Sequence, residues 1–129
     1  MSQQQILLIV LAILIVGSAV AIGLIVFNDQ SAAANRDGLT SDLLRLSVRA
    51  RAYYLRPKNW GGGEKSFEGL TIDYLTNQPK NANGEYSVIV VEPEHAVLQG
   101  EGISIGSDGN PIKVTLIVFA DSIGLSLKN

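Results

Sequence analysis

The sequence contains no cysteine and only one histidine among its 129 residues. Without cysteine, disulfide cross-links and cysteine-based metal or redox sites are excluded. The single histidine, His95, stands beside Glu92 and Glu94, which is typical of a solvated loop residue rather than a ligand or a base. The glycine triplet at 61–63 lacks the Lys-Ser/Thr pair and following helix of a phosphate-binding loop. We therefore expect no enzyme activity, no catalytic or metal site and no cofactor.

Charge is absent from residues 6–27, which form one apolar run that we call the apolar segment. As a helix it would be about 33 Å long, enough to cross the hydrocarbon core of a bilayer. Residues 1–5 carry no Lys or Arg and the run is too long for a signal peptide, so cleavage is not expected. On hydropathy alone the segment is a plain single-pass anchor. However, the nearest basic residues all follow it, and the positive-inside rule would then place the rest of the chain in the cytoplasm.

Beyond the apolar segment the pattern predicts that the helix continues. Apolar residues recur at spacings of three and four, which trace one face of a helix. No proline interrupts the sequence until Pro57, so we predict a helix from about Gln3 to about Arg56. The face on which a sheet is expected to dock contains Leu39, Leu43, Leu46, Ala50 and Tyr53.

After the glycine triplet the apolar period changes to that of β-strands. Four strands are predicted, followed by a short tail, at 66–75, 86–91, 96–105 and 112–119. The fold class is therefore α+β, with a long hydrophobic-then-amphipathic N-terminal helix packed against a four-stranded antiparallel sheet. We predict three regions: a transmembrane or filament-core helix at 1–27, its amphipathic continuation at 28–56, and a C-terminal sheet packed on that continuation at 57–129.

This architecture resembles that of type IV pilins and pilin-like proteins. The closer likeness is to small pilin-like proteins of Bacteroidota and Chlorobi type, and it rests on MSQQQ before Ile6, ANRD at 34–37, the tyrosine pair at 53–54 and WGGGEKSF at 60–67. The resemblance implies a structural subunit, the major pilin-like protein of an extracellular helical filament, in which N-terminal helices pack laterally. It also implies a single-pass inner-membrane precursor, a leader removed before Met1 by a prepilin peptidase, N-methylation of Met1 and a pilus assembly machinery.

Two residues at the N-terminus differ from the usual pilin pattern. Pilins usually have phenylalanine where this chain has Met1, and glutamate where it has Gln5. In the family that carboxylate is thought to pair with the terminal amine of a neighbouring subunit, whereas Gln5 can only accept a hydrogen bond from it. Residues 3–5, all glutamine, are either a polar register device between subunits or a capping and interfacial segment.

The apolar segment also contains small residues that favour close helix packing. Gly17 and Ala21 are four residues apart, as in small-xxx-small contacts between membrane helices. We predict that residues 17–23 unwind in an assembled filament; the alternative is a straight helix with ordinary membrane glycines. The predicted assembly core comprises Gln5, Ile6, Leu11, Ile15, Gly17, Ala21, Gly23 and Phe27.

The charges are unevenly distributed along the chain. Seven of the ten basic residues lie between Arg36 and Lys65, whereas the C-terminal half is rich in carboxylates. This distribution favours contacts between subunits of a filament, although a solvated surface would explain it too. A nucleic-acid partner is not expected, because nothing orders Tyr53, Tyr54 and Trp60 as stacking platforms. The alternative function is a minor pseudopilin or a single-pass membrane-anchored component of a secretion or DNA-uptake machine.

Overall fold

A long helix and a four-stranded antiparallel sheet make up the structure, a computed structural model that describes residues 2–106 and 108–128 and their side chains as far as residue 126. This confirms the predicted α+β class. Helix α1 (Gln3–Leu55) ends one residue before the predicted end, because proline disfavours a helical conformation for the residue before it. The other elements are a 3₁₀ turn (Lys58–Trp60), α2 (Ile72–Leu75), β1 (Gly84–Val91), β2 (His95–Ile105), β3 (Pro111–Phe119) and β4 (Ile123–Lys128).

By internal contacts the chain divides into two compact units. We call Met1–Ser31 the N-terminal unit and Ala32–Asn129 the head unit. The sheet belongs to the head unit, and its strands follow the order β1-β2-β3-β4 with antiparallel pairing throughout. Each strand is therefore joined to its neighbour by a turn.

One face of the sheet is buried and the other is more exposed. Along β3 buried and half-buried residues alternate, as expected of a strand with one face on a core. Leu98 of β2 lies opposite Leu116 of β3, and both are fully buried. The buried residues of these two strands are Ala96, Leu98, Gly100, Ile112, Val114, Leu116 and Val118.

The amphipathic part of α1 supplies the other side of this core. Leu39, Leu43, Leu46, Ala50 and Tyr53 are each at most 6% exposed and form one cluster with the buried sheet residues. Burying one such leucine contributes about 1.5–3 kcal/mol. The spacing of three and four that the sequence displays is thus the spacing of the residues that contact the core.

The strand predicted at 66–75 is wrong. Residues 66–71 form no regular element, and Ile72–Leu75 is one turn of helix, α2. Phe67, Leu70 and Leu75 are all buried, and their spacings of three and five do not fit a two-residue period. The Leu70 N–H donates to the Phe67 carbonyl at 3.1 Å, so the segment turns instead of extending.

The fourth strand comes from the segment predicted to be a short tail. β4 pairs with β3 from the Val118–Ile123 pair to the Lys113–Lys128 pair. Its sequence IGLSLK alternates apolar with small or polar residues, which is a strand pattern, but it is only six residues long. The number of strands was therefore predicted correctly, although one of them was placed in the wrong segment.

The loop at residues 76–83 explains why a glycine, Gly38, occurs inside the long helix α1. A Cβ at this position would lie 2.8 Å from the Asn83 side-chain oxygen, so any larger residue would displace Asn83. Glycine costs about 1 kcal/mol relative to alanine in a helix interior. Close approach of the 76–83 loop to α1 accounts for the presence of Gly38.

Candidate functional site

The apolar segment exposes its entire surface. Every side chain from residue 2 to residue 30 is exposed, and the large apolar side chains of residues 6–27 are 49–70% exposed. By length and composition this part of α1 is able to cross a membrane. Because apolar residues follow one another without interruption, they occur on every side of the helix. A helix that is apolar all round is one that is surrounded by lipid or by other protein segments.

The residues of the predicted assembly core all lie on this exposed part of α1. A Cβ at Gly17 or Gly23 would have no atom within 4 Å, so nothing in the single chain requires glycine there. Residues 17–23 are helical, and the Ser18 hydroxyl donates to the Leu14 carbonyl at 2.8 Å. Unwinding of this stretch concerns the assembled filament and stays a prediction.

Ser2 provides the cap at the start of α1. The backbone N–H of Gln5 donates to the Ser2 hydroxyl at 3.3 Å, and the N–H of Ile6 donates to the Ser2 carbonyl. This is the arrangement expected of an N-cap serine. The glutamine side chains are exposed next to this cap and are available to other molecules. Met1, the predicted processing and methylation site, lies outside the described residues.

In the head unit, Asp42 is the centre of a polar cluster beside the docking face. Its Oδ2 accepts hydrogen bonds from the Tyr86 hydroxyl at 2.5 Å, from Asn81 Nδ2 at 3.0 Å and from Asn83 Nδ2 at 2.9 Å. Its Oδ1 forms an ion pair with Arg45, three residues further along α1, at 2.9 Å. One carboxylate thus fixes β1 and the 76–83 loop to α1.

These contacts shift the pKa values of Asp42 and Tyr86. Burial alone would raise the pKa of Asp42, but the hydrogen bonds from Tyr86, Asn83 and Asn81, together with the charge of Arg45, lower it overall. Burial and the hydrogen bond to Asp42 raise the pKa of Tyr86. Asp42 is therefore an anion and Tyr86 a neutral donor at neutral pH.

Asn35 is a second polar link between α1 and the sheet. Its Oδ1 accepts hydrogen bonds from the Ile103 and Ser104 N–H groups at 3.1 Å each, and its Nδ2 donates to the Asn83 carbonyl at 2.6 Å. These contacts lie where the β2–β3 register shifts. Gly102 is required there, because a Cβ would overlap the Asn35 oxygen. The side chain of Asn35 is only 8% exposed, so its polar groups need these partners.

The sequence did not reveal these polar links. Asn83 lies between two predicted strands, and Tyr86 is the first residue of the strand predicted at 86–91. Their contacts join residues more than forty positions apart, and no local pattern encodes such a distance. His95 begins β2, and its ring lies 5.9 Å from that of Phe119. Within residues 2–106 and 108–128, no group of three His, Cys, Asp or Glu residues could hold a metal ion.

Comparisons of the chain with models of known protein families, with curated proteins and with solved structures find no match. The long apolar helix followed by a four-stranded antiparallel sheet is compatible with a pilin-like fold.

Proposed function

We propose that this protein is a pilin-like structural subunit of an extracellular filament, assembled by lateral packing of N-terminal helices from many copies. The observation that carries the proposal is the exposure of the apolar segment, whose large side chains are 49–70% exposed. Every residue of the buried core cluster described here lies between Leu39 and Val118, so residues 6–27 contribute nothing to the core of the head unit. Their apolar surface must be covered by something outside the chain.

Two kinds of surroundings can cover such a helix, and a filament subunit uses both in turn. Before assembly the segment lies in a membrane, where insertion of its aliphatic residues is favourable by very roughly 5–10 kcal/mol. After assembly it lies among identical helices. Gly17 and Ala21 support this second state, because small residues allow helix backbones to approach closely. Gln5 supports it as well, because a neutral amide is less costly to bury than an ionised carboxylate.

The test is whether cells expressing the chain carry surface filaments composed of this polypeptide. We expect shearing to release long filaments in which this chain is the main component, as seen by electron microscopy and mass spectrometry. Gly17→Leu should reduce filament yield about tenfold by separating the helices, whereas Val20→Leu, with a smaller change in volume, should have little effect. Neither variant should change the folding of the head unit.

Two results would overturn the proposal. In one, the chain remains in the membrane as isolated copies, which corresponds to a plain anchor. In the other, it is a trace component of filaments built from another polypeptide, which corresponds to a minor pseudopilin of a secretion or DNA-uptake machine. The copy number per cell separates a major filament subunit from a minor or membrane-anchored component.

A further inference from the structure

The loop that follows α1 exposes a tryptophan among basic residues. We call residues 56–65 the Trp60 loop. Trp60 is 78% exposed, although tryptophan is on average a highly buried residue. Arg56, Lys58 and Lys65 are also exposed, and Glu64 is the one acidic residue of the loop. Tryptophan and arginine are enriched among the residues that contribute most to protein–protein binding, so the Trp60 loop resembles such a contact in composition.

The turn between β1 and β2 has the opposite character. Glu92, Pro93, Glu94 and His95, which we call the acidic turn, surround a surface depression of about 220 Å³. The first three of these residues are exposed and His95 is half-buried. A proline and an imidazole ring offer flat apolar surfaces against which an indole can pack, and the two carboxylates flank them.

Both features lie at the same end of the head unit. The Lys65 N–H donates to the Tyr54 carbonyl near the end of α1, and the Phe67 N–H donates to the Pro93 carbonyl at 3.2 Å. In spite of this proximity, no ion pair joins the Trp60 loop to the acidic turn among the described residues. Opposite charges are thus presented side by side on one chain without neutralising each other.

We propose that the Trp60 loop of one copy docks on the acidic turn of a neighbouring copy, with Trp60 against Pro93 and His95. The occupant is a second copy of this chain because the chain itself supplies the complementary charge. The contact joins two different patches, so it is heterologous, the kind of contact that builds an open helix when the rotation between copies does not close into a ring. It deepens the filament proposal by adding a head-to-head contact to the packing of the N-terminal helices.

Charge reversal in the full chain tests the pairing. R56E/K58E and E92K/E94K should each shorten filaments roughly fivefold at low salt, since like charges then face each other. Mixing the two variant chains in equal amounts should restore the length, because each loop then meets a turn of opposite sign. D73K/E85K is the matched control: it makes the same change in net charge as E92K/E94K at two exposed positions elsewhere, and it should leave the length within about twofold.

The absence of cysteine from the chain allows a second and more direct measurement. Chains carrying N59C, mixed with chains carrying E94C and oxidised in filaments or in membranes, should give mainly the mixed disulfide dimer. N59C with S87C should give little, because Ser87 lies on β1 outside the acidic turn. Filaments without the mixed dimer, or reversals without effect, would overturn this inference and leave the filament proposal standing. If the mixed dimer formed in membranes but no filament were found, the contact proposed here would be supported and the filament proposal would be overturned.

Discussion

The N-terminal unit and the head unit share one helix, yet they use it in opposite ways. In the head unit the apolar residues of α1 form a stripe, and the sheet covers that stripe within the same chain. In the N-terminal unit the apolar residues cover every side of the helix, and no part of the described chain buries them. A helix with an apolar stripe along one face can bury that stripe against one partner surface. A helix that is apolar on every side needs partners all round. The comparison separates residues that form the folded core from residues that the described chain leaves exposed.

The largest expected effect on stability comes from truncating a buried leucine of the head unit, compared with an exposed leucine of the N-terminal unit. Leu43→Ala should lower the free energy of unfolding of the head unit by about 2–5 kcal/mol, because Leu43 is fully buried. Leu14→Ala should change it by less than about 0.5 kcal/mol, because Leu14 is 62% exposed. Denaturant titration in detergent, followed by tryptophan fluorescence and circular dichroism, measures both. Equal effects of the two substitutions would contradict the separation of core residues from exposed residues of α1.

A smaller effect is expected from removing the carboxylate that joins β1 and the 76–83 loop to α1. Asp42→Ala leaves the Tyr86 hydroxyl and two asparagine amides without their acceptor. We expect a loss of about 1–3 kcal/mol in the free energy of unfolding. Arg45→Ala is the control: its side chain is 76% exposed, so it should cost less than about 1 kcal/mol. If the two variants were equally stable, Asp42 would matter only through its ion pair.

The same carboxylate should make stability depend on pH in the acid range. Because the folded-state pKa of Asp42 lies below its ordinary value of 3.8, the unfolded chain binds more protons as the pH falls through this range. The contribution of Asp42 is therefore complete above pH 3.8 and is lost as the pH falls through the folded-state pKa. Wild type should lose more stability than Asp42→Ala between about pH 5 and pH 2. Parallel pH profiles for the two proteins would show that Asp42 is not stabilised as an anion.

The smallest effect is expected at the start of the N-terminal unit. Gln5→Glu should reduce filament length by about two- to tenfold, the equivalent of one hydrogen bond, because a carboxylate is costlier to bury between helices. Filament lengths measured by electron microscopy provide the comparison. Longer or more numerous filaments than those of wild type would show that the register interpretation of Gln5 is wrong. Wild-type lengths for Gln5→Ala would instead favour the interfacial interpretation.

The predictions made from the sequence succeeded where an uninterrupted apolar run or one residue period persists over many residues. The helix at Gln3–Leu55 and the strands at His95–Ile105 and Pro111–Phe119 follow from such runs. The prediction failed at 66–75, where apolar residues fill the core from an irregular segment, and at the chain end, where the strand is short. The Asp42 cluster was not predictable, because it depends on the close approach of the 76–83 loop to α1. That approach is possible only because residue 38 is glycine.

Asn35 also gives this part of α1 a polar attachment to the sheet. It is the first buried residue after Ser31 and lies four residues before Leu39, the first residue of the docking face. Two of its hydrogen bonds grip the backbone of β2, which pairs with two neighbouring strands, and the third holds the loop before β1. This end of α1 is thus tied to backbone groups of the sheet by hydrogen bonds as well as through the apolar core, against which Ala32 also packs. In a filament of the proposed kind, one amide side chain would thus help to hold each helix on the sheet of its own chain.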